Sequence, residues 1–135
     1  MMTPKEFLNQ PRVLRDLIRE QESELKMLEA EADGLTGISY DKEPVKVSLV
    51  QSGTEEYLVR IEHLKQSIEQ NKRKFNIIYA NVEKTIDKLT NEREIRVLKL
   101  RYLMFLDWKK IFSQMQETQD VVYSLHKRAL NHIRC

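Results

Sequence analysis

Residues 89–135 read LTNEREIRVLKLRYLMFLDWKKIFSQMQETQDVVYSLHKRALNHIRC, and this stretch carries most of what the chain says about its fold. Thr90 and Asn91 are helix-capping types, followed by Glu92 and Glu94, where a helix dipole favours acids. Ile95, Leu98, Tyr102 and Met104 or Phe105 then recur at helical spacing. Asp107 is a second cap, before the short apolar set Trp108, Ile111, Phe112 and Met115. Thr118 is a third, before Val121, Val122, Leu125, Ala129, Leu130 and Ile133. Three short helices with tight joins predict a helix-turn-helix, whose last helix enters a DNA major groove.

The turn falls at Met115-Gln116-Glu117-Thr118, with Ile111, Met115, Val122 and Leu125 as the locking positions. Two residues depart from the usual pattern. Phe112 stands where a small residue lets the helices cross closely, and Gln116 stands where glycine supplies positive φ. Trp108, Tyr102 and Phe105 are the expected small core of the tail.

Helix phase puts Gln119, Asp120, Tyr123 and Ser124 on the face away from Val122 and Leu125. Gln bonds adenine bidentately and Asp accepts from the cytosine amino group, so this face suits base edges. Lys127 and Arg128, one turn on, and Lys109 and Lys110, opening the second helix, suit phosphates. The bland alternative for each is a solvated helix face.

Asn91-Glu92-Arg93-Glu94, Val97-Leu98-x-Leu100-Arg101-Tyr102, the Ile111 helix and Val122-Tyr123-x-Leu125-His126-x-x-Ala129-Leu130 together resemble region 4 of bacterial sigma factors. That region binds the upstream promoter element. The Arg101-Tyr102 pair, the Trp108 start and the Leu125-His126-x-x-Ala129-Leu130 ending are closer to the RinA/ArpU type of phage and mobile-element transcriptional regulators. The resemblance covers the tail well and the first 88 residues loosely. It implies a transcription regulator, often an activator, with double-stranded DNA and possible RNA polymerase contacts.

The first 88 residues predict two long helices around a loop. Thr3-Pro4-Lys5-Glu6 has a cap, a proline at the first helical position and an acid at the third. Pro11 is expected to interrupt or restart that helix. Leu14, Ile18, Gln21, Leu25, Leu28 and Ala32 form a coiled-coil-like seam with one polar member, ended by Gly34 and Gly37. Residues 34–53, with all three glycines and Pro44, read as a loop. Ser52 or Thr54 then caps a helix whose seam is Ile61, Leu64, Ile68, Asn71, Phe75, Ile78, Val82 and Leu89, with Asn71 favouring one register. The first helix folds back on it as a hairpin. Counted over its 14–32 seam, it is too short to cover the stripe, so a homodimer or higher oligomer through residues 12–88 is expected. Two linked heads would also bind DNA more tightly than one. The fold class is therefore all-α: a long helical hairpin or coiled coil over residues 1–88, then a helix-turn-helix domain over residues 89–135.

Composition sets the bounds. The chain has 135 residues, three glycines and 33% charged residues, which is helix-rich material. Net charge is +2, unevenly spread: residues 89–135 carry nine Lys and Arg against five acids, and residues 1–88 fourteen against sixteen. That excess makes one copy a weak, salt-sensitive DNA binder. No apolar run has membrane-spanning length and no secretory leader pattern is present, so a cytoplasmic protein is expected. Cys135 lacks an internal partner. No phosphate loop and no metal-spaced Cys/His cluster occurs, so neither an enzyme nor a cofactor is expected. His63, His126 and His132 read as structural or solvent-facing. Two other classes fit less well. A phage small terminase subunit usually places its DNA-binding part first. A sigma-like adaptor would bind RNA polymerase or another protein rather than DNA.

Overall fold

The computed structural model describes the backbone of residues 2–40 and 44–134, with side chains outside 35–54. The described residues are all-α: α1 (Pro4–Tyr40), α2 (Pro44–Asp87), α3 (Glu92–Leu98), a π-helical turn (Lys99–Leu103), α4 (Trp108–Met115) and α5 (Gln119–His132).

The α1 start follows its sequence. The Thr3 hydroxyl accepts from the Glu6 N–H at 3.1 Å and donates to the Glu6 carboxylate at 3.2 Å, a reciprocal cap ahead of Pro4. The break expected at Pro11 does not occur, because the helix runs through it. An interior proline costs about 3 kcal/mol of helix propensity. Here Pro11 and Leu8 are fully buried, and packing of that face offsets the loss. The loop expected over 34–53 is also replaced. α1 continues to Tyr40 and α2 begins at Pro44. Glycine in a helix costs only about 1 kcal/mol and does not by itself stop one. Residues 41–43 lie outside the described residues.

The chain divides into two compact units, residues 16–73 and residues 1–15 with 74–135. Both long helices contribute to both units.

In the unit of residues 16–73, α1 and α2 run antiparallel with Ile18, Ala32, Ile61 and Ile68 buried. The two polar seam members find each other. The Asn71 amide donates to Gln21 Oε1 at 2.9 Å, and the Gln21 amide donates to Ser67 Oγ at 2.9 Å. Asn71 sets the register of an internal hairpin this way. Lys72–Glu22 at 3.3 Å sits beside it, half-exposed and of small energetic value. With 37 residues in α1 against 44 in α2, the length mismatch that pointed to a second chain is largely gone.

In the other unit, Leu8 of α1 and Val82 and Ile86 of α2 join Val97, Leu98, Leu100, Tyr102, Leu103, Ile111, Met115, Val122, Leu125, Ala129 and Ile133 in one buried cluster. The tail does not close its own core. The π-turn, with Met104 N–H on the Lys99 carbonyl at 2.8 Å, widens the end of the first tail helix, and Leu100, Tyr102 and Leu103 all turn inward. Met104 is left 57% exposed. Phe105 follows at φ 60, a conformation side chains disfavour. It is half-buried and does not form a core with Tyr102 and Trp108. Its ring lies 6.5 Å from Phe75 and carries the Arg15 guanidinium at 4.2 Å, while Arg12 Nη2 donates to the Arg101 carbonyl at 3.1 Å. The sequence of the tail alone held no sign that Leu8 of α1 would join its core.

Candidate nucleic-acid interface

Three caps set the ends of the tail helices as their sequence implies. Asn91 Oδ1 accepts from the N–H groups of Arg93 and Glu94 at 2.9 and 3.2 Å. Asp107 accepts from Lys110 N–H at 2.9 Å, and Thr118 from Val121 N–H at 3.4 Å. Only Gln116 and Glu117 separate the last residue of α4 from the Thr118 cap. Gln116 takes the left-handed conformation, φ 54 and ψ 44, that a glycine usually supplies. The Glu117 N–H returns to the Phe112 carbonyl at 3.2 Å, closing a Schellman-type end that reverses the chain between α4 and α5.

α5 packs against α3 and α4. Its inward face is Val122, Leu125 and Ala129, with Ile133 just past its end. Gln119, Asp120, Tyr123, Ser124, Lys127 and Arg128 are all exposed on the remainder, and Lys109 and Lys110 are exposed in the first turn of α4. Tyr123 differs from the expectation of a free reading side chain. It is 39% exposed, and its ring packs edge-on against Trp108 at 5.1 Å and Phe112 at 5.5 Å.

That packing accounts for Phe112. An aromatic layer replaces the close crossing a small residue would allow: Trp108 and Phe112, one turn apart on α4, meet Tyr123 and His126 on α5. The layer continues inward. Tyr102 Oη lies 2.6 Å from His126 Nε2, with the rings stacked at 5.7 Å. Burial, aided by the charges of Lys5 and Arg101, lowers the His126 pKa to about 4, and burial raises Tyr102 to about 12. At neutral pH the imidazole is therefore neutral, and the phenol donates to Nε2. Arg101 lies 4.6 Å over the Trp108 ring and donates to the Leu106 carbonyl at 3.1 Å.

Several tail cations are committed to structure. Arg93 pairs with Glu117 at 2.5 Å, Lys99 pairs with Asp87 at 2.7 Å, and Arg96 donates to the Gln114 carbonyl at 2.9 Å. Among the described residues no carboxylate lies in ion-pair range of Lys109, Lys110, Lys127 or Arg128. Residues 1–15 with 74–135 carry fifteen Lys and Arg against eight acids, and residues 16–73 carry eight against thirteen. The charge separation of +7 against −5 is far sharper than a division at residue 88 suggests.

Sequence reasoning missed the pair that ties α3 to the end of α5. Glu94, 2% exposed, accepts from His132 Nδ1 at 2.7 Å. Its position in the first turn of α3 suggested only a dipole partner. A pair 38 residues apart leaves no periodic trace in one sequence. Among the described residues no helix is long and apolar enough to cross a membrane, and no cluster of three or more His, Cys, Asp or Glu could hold a metal ion.

Comparison of the chain with protein-family models, curated proteins and solved structures finds no match.

Proposed function

We propose that this protein is a cytoplasmic, non-enzymatic, sequence-specific DNA-binding regulator of transcription, in which α5 reads the major groove of double-stranded DNA. The observation that carries the reading is the two-sided α5. Val122, Leu125 and Ala129 are buried, while Gln119, Asp120, Ser124, Lys127 and Arg128 are exposed on a helix held by a three-residue turn. Gln119 and Asp120, at the helix start, supply base-edge chemistry, and Ser124 adds a hydroxyl one turn on. Lys127, Arg128, Lys109 and Lys110 anchor the flanking phosphates. Tyr123 supports this face through the aromatic layer and offers its exposed part to the groove. The resemblance of the tail to sigma region 4 and to RinA/ArpU-type regulators makes promoter DNA of a phage or mobile element the natural target. It also makes activation through RNA polymerase the natural output.

Selection of bound sequences from random duplex DNA tests the proposal. One enriched motif is expected, with affinity that falls steeply with salt and is lost in the Gln119→Ala/Lys127→Ala double variant. Retention of DNA at low salt with no enriched motif rules out sequence reading. A palindromic motif would fit a homodimer, and sedimentation on and off that site measures the assembly directly.

A further inference from the structure

We propose that the DNA-contacting surface extends from the tail onto the first turn of α1, with Lys5 as an outlying phosphate contact. The inference rests on the DNA-binding reading of α5 and adds Lys5, which precedes the first residue of the tail, Leu89, by 84 positions.

α1 is not a loose arm where Lys5 sits. Thr3 caps it, and Leu8 and Pro11 are fully buried in the same unit as α5. Arg12 fixes the next turns by donating to the Arg101 carbonyl at 3.1 Å. Lys5 precedes Arg12 by seven residues, so the two share a face of α1 about 10 Å apart. Arg12 is placed at the Arg101–Tyr102 backbone, and the Tyr102 hydroxyl meets His126 of α5. The Lys5 charge is felt at His126, immediately before Lys127.

Of the cations in residues 1–15, Arg12 and Arg15 are engaged with the Arg101 carbonyl and the Phe105 ring. Lys5 is exposed, and its neighbour Glu6 is bonded to Thr3. It is therefore the cation of this segment placed to meet a phosphate that flanks the α5 site. Such a contact adds affinity without base preference, and it is read as a change in salt dependence.

The experiment titrates random-sequence duplex DNA with the full chain across a salt series. It compares wild type, Lys5→Gln, Lys127→Gln and, as a control in the acidic unit, Lys26→Gln. Lys5→Gln is expected to make the log–log salt slope shallower by about 0.9. It should weaken binding several-fold and leave thermal unfolding unchanged. Lys26→Gln should leave the slope at its wild-type value. An unchanged slope in Lys5→Gln alongside a shallower one in Lys127→Gln overturns the Lys5 contact and leaves the α5 reading standing. Absence of salt-dependent binding by wild type overturns both.

Discussion

In the acidic unit, the residues that touch lie on two helices in one antiparallel register, with Gln21 meeting Asn71 and Glu22 meeting Lys72. In the basic unit, the residues that touch come from four places in the chain. Leu8, Val82, Val97 and Val122 share one core, Arg12 bonds Arg101, and Glu94 bonds His132. The difference teaches how one pair of helices does two jobs. Repeating apolar steps need only each other to form a hairpin. A short helical tail, with too little apolar surface to enclose itself, needs the ends of that hairpin as a wall.

The sharpest way to break the comparison is to remove the wall. Leu8→Ala should destabilise the basic unit by about 2–5 kcal/mol, the usual range for a fully buried leucine. Chemical denaturation followed by Trp108 fluorescence measures this. A loss below that range would mean that the tail holds itself together after all.

Acid should separate the units next. His126 has its folded pKa lowered to about 4 from 6.5, so the unfolded chain binds the proton more readily. Its stabilising effect is full above about 6.5 and is lost as pH falls from there through about 4. Solvent screening of this half-buried group reduces the effect to on the order of 1 kcal/mol. Melting curves between neutral pH and pH about 4 should show a smaller decline in His126→Gln than in wild type. Equal declines would remove His126 as the source.

The polar seam gives a smaller effect. Asn71→Ala leaves the Gln21 carbonyl oxygen without this donor and should cost about 1 kcal/mol, confined to the acidic unit. Hydrogen exchange resolved along the chain should show faster opening near residues 16–33 and 55–73, with α3 to α5 unaffected. Smallest of all, Gln116→Gly should stabilise the basic unit by about 0.5 kcal/mol, because glycine adopts the left-handed conformation more readily than glutamine. A lowered melting temperature would show that the Gln116 side chain contributes more than its backbone costs.

Local chemistry was legible because it is local. Thr3, Asn91, Asp107 and Thr118 cap as their types and positions imply, each through a side-chain oxygen and an N–H two or three residues on. The buried face of α5 follows from its 3.6-residue period, and the exposed candidate residues follow from the same phase. Boundaries inside the long helices were not legible. Pro11, Gly34 and Gly37 are breakers by local propensity, yet α1 runs through all three: burial of Leu8 and Pro11 offsets the proline, and each glycine costs only about 1 kcal/mol. Phe112 and Gln116 were visible as departures from a pattern. Their resolution, an aromatic layer in one case and a left-handed glutamine in the other, depended on Tyr123 and on the chain reversal.

By itself, the sequence determined the all-α class, the caps at Thr3, Asn91, Asp107 and Thr118, the two seams and which face of α5 stays in water. Each of these is written within a few turns of helix. It did not determine the start of α2, which lies ahead of the expected cap at Ser52 or Thr54. Only the tertiary structure decided that residues 1–15 belong with the tail, that Gln21 and Asn71 pair within one chain, and that the charges divide as +7 against −5 between compact units. Those facts depend on which distant segments bury one another. Burial is set by the area two faces can remove from water together, a property that neither segment carries alone.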